Sequence, residues 1–374
     1  MINSKPLFTI VILLNSVLGF GQSIENKFQK LLDSTLAANP KAVGMQIHVE
    51  APDWGISWTG AAGVSDTISK EIYQLHQPSL VASNTKTFVA ATILKLIEQG
   101  RFKLDQPIDK LISEKSKKAL LADQYDLSKI TIRHLLTHTS GIADYVNDAY
   151  FEFVQNHPKY KWSAEQQVNR AVTHGSPLAE PGEAFSYADI NYVLLAEIIK
   201  IQYGKAYYTA MRELIDFEEL GLSHTWTVKL ENSPPKTLPL AHQYAGSFNM
   251  DSYDFDPSWD LYGGGGLASN AKDLAIFFQA LFNGQVVKDE DLLREMYTYV
   301  LDPETSRYCL GIWNIDFYQK TKGYVHGGFW GTASMYLPEH NATISSIVLQ
   351  RDLRDLNHQL SNQLLEIIEE LEQE

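Results

Sequence analysis

The chain has 374 residues, of which 44% are hydrophobic, and it carries a formal net charge of −14. This length and composition suffice for a sizeable core, either in one large domain or in two lobes. No basic stripe with interleaved aromatic residues occurs, which argues against a nucleic-acid partner. The acidity indicates solubility rather than a specific partner. The one cysteine, Cys309, lies in an apolar stretch and is expected to be a buried structural thiol.

The N-terminal segment, residues 1–21, has the pattern of a secretory signal peptide. Lys5 precedes an apolar run at residues 7–18, and small residues follow at the cleavage positions. The apolar run is too short to span a bilayer well, although an uncleaved membrane anchor is the alternative. We therefore expect cleavage before Gln22, export to the periplasm or the extracellular space, and no stable membrane span after cleavage.

The mature chain begins with a helix and a hairpin. Residues 24–38 place apolar side chains at helical spacing, and two strand-like runs follow at residues 43–49 and 54–61. The next strong helix covers residues 85–100, with Gly100 at its end.

Helices dominate the middle of the chain, and strands return near its end. The further predicted helices are 131–137, 163–174, 189–203, 206–215, 270–282 and 353–371, and the further predicted strands are 308–315, 333–337 and 343–349. This order predicts an α+β fold, in which one antiparallel sheet is built from both ends of the chain, is flanked by the terminal helices, and receives a mainly helical insertion. We expect a single catalytic domain over residues 22–374. Its α/β lobe would comprise about 22–64 and 262–374, and its helical lobe about 65–261.

The most informative motif is Ser83-Asn84-Thr85-Lys86, at the start of the helix predicted over residues 85–100. A serine three residues before a lysine places the hydroxyl and the amine on one helix face. A serine hydroxyl needs a neighbouring base to act as a nucleophile, and a partly desolvated lysine can be that base. The spacing alone also fits a helix N-cap followed by a solvated lysine.

Two further motifs add chemistry. Tyr187-Ala188-Asp189 lies between a Pro-Gly turn and a predicted helix, and His326-Gly327-Gly328 lies in a strand-like segment. Glycine in a strand allows another backbone or a ligand to approach closely. A packed aromatic ring at Tyr187 and a hydrogen-bonded core histidine at His326 are the alternatives.

No metal site and no cofactor site is predicted. His134 and His138 have the spacing of metal ligands on a helix, but the adjoining glutamate of zinc peptidases is missing. We interpret both histidines as structural.

Together the three motifs give the chain a resemblance to the serine beta-lactamase and penicillin-binding protein family. The resembling branch contains class C beta-lactamases, D-alanyl-D-alanine carboxypeptidases and related esterases. The first motif of that family is Ser-x-x-Lys, the second is usually Tyr-x-Asn, and the third is Lys-Thr-Gly or His-x-Gly. Residues 135–142 and 264–269 are also similar to the family, and the resemblance covers about residues 25–370.

The resemblance implies an exported serine hydrolase that forms an acyl-enzyme on Ser83. Lys86, directly or with Tyr187, would take the serine proton, and Tyr187 would protonate the leaving group. The backbone N–H groups of Ser83 and Phe329 would form the oxyanion hole. Asp189, His326, Gly327 and Gly328 would contact the substrate, which would be a small molecule or a peptide.

Two departures from the family motifs affect the expected substrate. Asp189 stands where the family usually has asparagine, and an ionised carboxylate there would pair with Lys86, raise its pKa and disfavour anionic substrates. His326 replaces lysine and is a weaker, pH-dependent anchor for a carboxylate. Both changes favour a D-alanyl-D-alanine carboxypeptidase-like peptidase or an esterase or amidase. The alternatives are a beta-lactamase and a non-catalytic binding protein on the same fold.

Overall fold

The computed structural model describes residues 24–316 and 321–372, so the predicted signal peptide lies outside the described residues. The α-helices are 24–38 (α1), Thr85–Glu98 (α2), Glu114–Ala122 (α3), Ile132–Leu136 (α4), Asp148–Asn156 (α5), Ala164–His174 (α6), Asp189–Tyr203 (α7), Tyr207–Ile215 (α8), Ala271–Phe282 (α9), Glu290–Met296 (α10) and Asp355–Glu372 (α11). The strands are Gly44–Ala51 (β1), Ile56–Gly63 (β2), Ser79–Leu80 (β3), Trp226–Thr227 (β4), Tyr244–Ala245 (β5), Met250–Asp251 (β6), Leu267–Ser269 (β7), Trp313–Asp316 (β8), Lys322–Gly328 (β9), Thr332–Leu337 (β10) and Ala342–Val348 (β11). Among the described helices, none is both long and apolar enough to cross a membrane.

The main sheet joins the two ends of the chain. Its six strands follow the order β2-β1-β11-β10-β9-β8, and each is antiparallel to its neighbour. Because side chains alternate along a strand, Met45, Ile47 and Val49 of β1 all point to one face. There they pack with apolar residues of α1 and α11, which cover that face.

Helix α9 covers the opposite face of the sheet through polar contacts as well as apolar ones. The backbone N–H of Ala271, at the start of α9, donates to Gln46 Oε1 of β1 at 2.7 Å. Thr343 Oγ1 of β11 donates to Gln279 Oε1 of α9 at 2.6 Å. These bonds satisfy buried side chains and fix α9 against the central strands.

A second and larger apolar cluster fills the helical region, which lies in the sequence between the N-terminal and the C-terminal strands of the sheet. It includes Phe88 and Leu94 of α2, Leu194 of α7 and Met211 of α8. The predicted α+β fold, with its terminal helices and helical insertion, is therefore confirmed. The boundaries given for the two lobes stay predictions.

The structure contains several elements that were not predicted and one strand that is shorter than predicted. The helices α3, α5 and α10 were not predicted. The strand predicted over residues 308–315 forms only from Trp313, because Gly311 adopts a φ of 79° and the backbone turns there. Cys309 lies before this turn and is fully buried, as predicted. Burial raises the pKa of its thiol to about 12.

Candidate active site

Ser83 lies in a tight turn between β3 and α2. A single 3-10 turn, Ala82–Asn84, precedes α2, and Ala82 adopts a left-handed φ of 45°. Such a conformation costs a non-glycine residue energy, so the surrounding structure must hold it. Thr332 Oγ1 does so by donating to the Val81 carbonyl at 3.0 Å and accepting from Asn84 Nδ2 at 2.8 Å. The turn is thereby fixed against β10, and Ser83 is left half-buried at the cleft.

Gly328 allows this close approach. A Cβ atom at that position would lie 2.2 Å from the carbonyl oxygen of Val81. The predicted role of a strand glycine, to admit another backbone, therefore applies here to the nucleophile turn. Gly327 is exposed beside it, and the predicted substrate contacts of both glycines stay predictions.

Lys86 is fully buried one helical turn after Ser83. Its Nζ lies 3.0 Å from Ser83 Oγ and 2.6 Å from the carbonyl oxygen of Gly264, and it forms an ion pair with Asp189 Oδ1. Burial alone would lower the pKa of Lys86, but Asp189 and Tyr187 outweigh it and raise that pKa. The lysine is therefore an ammonium in this state, and the expected pairing with Asp189 is confirmed.

Tyr187 lies on the other side of the same ammonium. Its ring centroid is 4.9 Å from Lys86 Nζ, and it lines the same cleft as Ser83. Burial raises the pKa of Tyr187, Lys86 opposes that shift and Asp189 adds to it, with a result of about 12. The phenol is thus neutral at pH 7 and can donate a proton.

His138 holds Tyr187 in place, a role that sequence reasoning did not identify. Its Nδ1 accepts the backbone N–H of Ala188 at 3.1 Å, and its ring packs on the Tyr187 ring with centroids 4.2 Å apart. Burial and the charge of Lys86 lower the pKa of His138 well below its ordinary value. His134 accepts the backbone N–H of Thr131 at 3.3 Å and so caps α4. In the described parts of the chain, no group of His, Cys, Asp and Glu side chains is placed to hold a metal ion.

Two further carboxyl groups flank Asp189, and neither was predicted from a sequence motif. Burial and the negative charge of Asp189 raise the pKa of Asp144 to about 7 and that of Asp260 to about 8. Asp144 accepts the backbone N–H of Ile190 at 3.3 Å. Asp260 lies against Gly265, where a Cβ atom would be 2.5 Å from its Oδ1. The floor of the site is therefore rich in carboxyl groups, which come from the loop after α4, the start of α7 and the segment before the glycine run.

His326 is buried and hydrogen-bonded, as in the core-histidine alternative, and not the pH-dependent anchor for a carboxylate. Its side chain is 2% exposed, and Nε2 lies 3.1 Å from Tyr308 Oη. Nδ1 lies 2.8 Å from the Gly327 carbonyl oxygen, so it carries the proton and donates. Burial, together with the charge of Lys86, lowers the pKa of His326 to about 3. A neutral, buried imidazole cannot attract a carboxylate as the lysine of the family motif would.

A cleft of about 550 Å³ opens above these groups. Ser83, Tyr187 and Phe329 line it, as do the predicted contacts His326, Gly327 and Gly328. Trp313 and Ile315 add an apolar wall, and the exposed side chain of Arg354 adds a cation. Ser83 and Phe329 thus face one cavity, while the use of their N–H groups as an oxyanion hole stays a prediction.

Comparison with known proteins agrees with this arrangement. The D-stereospecific amidohydrolase from Streptomyces sp. is 25% identical, with a TM-score of 0.72 over 87% of this chain and 94% of that chain. The D-amino acid amidase from Ochrobactrum anthropi SV3 shares the fold at 23% identity, with a TM-score of 0.76 over 94% of this chain and 99% of that chain.

A penicillin-binding protein of Bacillus subtilis (strain 168) is 26% identical over 275 residues, or 70% of this chain. This chain spans only 57% of the length of that relative. The Beta-lactamase family pattern matches residues 32–359, which is well over half of the chain. The chain therefore belongs to the beta-lactamase family and has the serine hydrolase fold of its penicillin-binding and amidase relatives.

Proposed function

We propose that the protein is a serine hydrolase that works through an acyl-enzyme on Ser83. The observation that carries this proposal is the 3.0 Å contact between Ser83 Oγ and the Nζ of a fully buried lysine, at the base of an open cleft. A solvated lysine after a helix cap, the alternative reading of the motif, would not be buried. The intact group of Ser83, Lys86 and Tyr187 also argues against a non-catalytic binding protein.

The proposed reaction follows from the positions of these groups. Ser83 Oγ attacks the substrate carbonyl while Lys86, directly or together with Tyr187, takes the proton of the Ser83 hydroxyl. Tyr187, whose phenol is neutral, then protonates the leaving group. The N–H groups of Ser83 and Phe329 stabilise the oxyanion, and the loss of one such donor costs about 3 kcal/mol. Water hydrolyses the acyl-enzyme.

We propose amides, peptides and small esters that contain a D-amino acid as the substrates. Three observations support this class: the 25% identity to a D-stereospecific amidohydrolase, the apolar wall at Trp313 and Ile315, and the cation at Arg354. A D-alanyl-D-alanine carboxypeptidase-like activity belongs to the same class. The Asp189 carboxylate and the neutral His326 offer no attraction to an anionic group close to Ser83, so a terminal carboxylate would have to be bound by Arg354. Within this class we therefore favour amides and esters without a carboxylate over beta-lactams.

Parallel turnover assays test the substrate class. The purified protein is given D- and L-phenylalanine amide, a D-alanyl-D-alanine peptide, a 4-nitrophenyl ester and nitrocefin, with Ser83→Ala in parallel. We expect a preference for the D-amide over the L-amide of at least about 10-fold, which corresponds to about 1.4 kcal/mol, and little nitrocefin turnover. Faster cleavage of the L-amide, or nitrocefin as the best substrate, would contradict the proposed class.

We also propose export, on the strength of the pattern in residues 1–21. The cleavage rule places the mature N-terminus at Gln22. Mass spectrometry of the protein purified from an expressing bacterium measures this directly. A chain that retains residues 1–21 would contradict the proposal.

A further inference from the structure

Lys86 cannot act as a base in the state that the structure describes. An ammonium has no lone pair, and Nζ is surrounded by three oxygen atoms, from Ser83, Gly264 and Asp189. It therefore donates to Ser83 Oγ rather than accepting from it. Before Lys86 can take the serine proton, it must give one of its own protons to another group.

Of the three oxygen atoms, only one belongs to an ordinary base. Ser83 is the group to be deprotonated, and the Gly264 carbonyl is an amide oxygen with negligible basicity. The Asp189 carboxylate is in direct contact with Nζ, and its side chain is 16% exposed. Its position is fixed by the start of α7 and by Gly264, since a Cβ atom at Gly264 would lie only 3.2 Å from Asp189 Cβ.

We propose that Asp189 is the proton acceptor for acylation and acts through Lys86. This inference rests on the proposed function. In the step, the Nζ–H bond to Asp189 breaks and an Oδ1–H bond forms, which leaves Lys86 as a neutral amine. That amine takes the proton of Ser83 Oγ as the Oγ–C bond forms, and the carbonyl π electrons move to the substrate oxygen.

The remaining proton transfers restore the starting state. When the tetrahedral intermediate collapses, the leaving group takes the Tyr187 proton, Lys86 gives a proton to Tyr187, and Asp189 returns its proton to Lys86. The net result is transfer of the serine proton to the leaving group. Substrate binding assists the first transfer, because excluding water from a buried ion pair favours its neutral form over its charged form.

The groups that face Asp189 determine how the reaction depends on pH. They are Lys86 from α2, Asp144 and Tyr145 from the loop after α4, Tyr150 from α5, Tyr187 before α7, Asp260 before the glycine run, and Tyr308 before β8. Asp144 and Asp260 titrate within the assayed pH range, because burial and the charge of Asp189 raise their pKa values to about 7 and about 8. The labelling rates of the variants and of wild type are therefore compared at each pH.

The rate of covalent labelling by a fluorophosphonate probe isolates the deprotonation of Ser83, since fluoride leaves without a proton. The variants are Asp189→Asn, Asp189→Glu and Asp256→Asn, compared with wild type from pH 5 to 9. Asp256 is a matched control, because it is a 9% exposed carboxylate 3.6 Å from Lys229 and outside the site.

We expect Asp189→Asn to label at least about 100-fold more slowly than wild type at each pH, which is the usual contribution of a general base. Asp189→Glu should recover part of the rate because it restores a carboxylate, and Asp256→Asn should label like wild type. An unchanged or faster rate in Asp189→Asn would overturn the inference, because it would mean that freeing Lys86 from its partner makes it the base.

Two further outcomes are distinguishable. If wild type itself is not labelled, the proposed function fails, and not only the role of Asp189. If Asp189→Asn does not fold, as judged by its circular dichroism spectrum, the comparison of wild type with Asp189→Glu decides. An Asp189→Glu variant that folds but is not labelled at a measurable rate would contradict the inference, because its carboxylate should still accept the proton.

Discussion

At the scale of single residues, the site depends on how burial and charge set the protonation state of each group. The Ser83, Lys86 and Tyr187 set could be predicted from the sequence, because short motifs fix their spacing. The raised pKa of Lys86 was also predicted, from Asp189. The raised pKa values of Asp144 and Asp260 could not be predicted, since both residues reach Asp189 only through the fold. The buried state of His326 was also not predictable from its motif.

Tyr187→Phe separates acid catalysis from packing. The variant keeps the ring that packs on His138 and removes only the hydroxyl, so the fold should be unchanged. We expect kcat for an amide to fall about 100-fold or more, because the amine must be protonated to leave. The kcat for a 4-nitrophenyl ester should fall much less, since nitrophenolate leaves without a proton. Steady-state kinetics with both substrates provide the measurement, and equal losses would argue against Tyr187 as the acid.

The neutral state of His326 predicts how stability depends on pH. Its pKa is about 3 in the folded protein and close to 6.5 in the unfolded chain. The unfolded chain therefore binds more protons between these values. The contribution of His326 to the free energy of unfolding is complete above pH 6.5 and is lost towards pH 3, at roughly 1.4 kcal/mol per pH unit.

Urea unfolding of wild type and His326→Gln from pH 4 to pH 8 measures this contribution. The free energy of unfolding should depend less steeply on pH in His326→Gln, because glutamine does not titrate. Equal slopes for the two proteins below pH 6.5 would show that His326 is not held neutral by the fold.

At the scale of elements, the sequence predicted those parts whose pattern is local. The helix at residues 24–38 and the helix Asp189–Tyr203 have clear apolar periodicity, and both were predicted with these bounds. The β1–β2 hairpin was also expected. Helices α3, α5 and α10, of 9, 9 and 7 residues, were not predicted. Two helical turns give only a weak periodic signal, which was recognised in α4 and α8, of 5 and 9 residues, but not in these three. The strand predicted over residues 308–315 begins only at Trp313, because Gly311 turns the backbone.

The glycine run before β7 provides an element-scale test. Gly263 has a φ of 105°, and a Cβ atom there would lie 2.4 Å from the carbonyl oxygen of Tyr192 in α7. We expect Gly263→Ala to lower the free energy of unfolding by about 3 kcal/mol, from left-handed strain and overpacking together. Gly204→Ala is the matched control, since Gly204 has a φ of 81° with nothing within 4 Å of a Cβ atom. Gly204→Ala should lower the free energy of unfolding by about 1 kcal/mol.

Urea unfolding at neutral pH compares the two glycine variants. We expect Gly263→Ala to be the less stable of the two variants. Equal losses would mean that the contact between the glycine run and α7 does not restrict this segment, and the placement of the Gly264 carbonyl against Lys86 would need another cause.

At the scale of the whole molecule, the site depends on contacts between parts that are distant in the chain. The nucleophile turn before α2 is held by Thr332 of β10, and Lys86 meets Asp189 of α7 and Gly264 before β7. The α+β architecture could be predicted, because strands at both ends and helices between them allow few arrangements. The carboxyl-rich floor could not, because no local pattern indicates which loops converge there.

The central claim is that Ser83 is an activated nucleophile. The most direct measurement is the intact mass of wild type and Ser83→Ala after exposure to a fluorophosphonate probe. We predict a single adduct on wild type and none on Ser83→Ala, with both proteins equally folded by circular dichroism. An adduct on both proteins, or on neither, would contradict the assignment of Ser83.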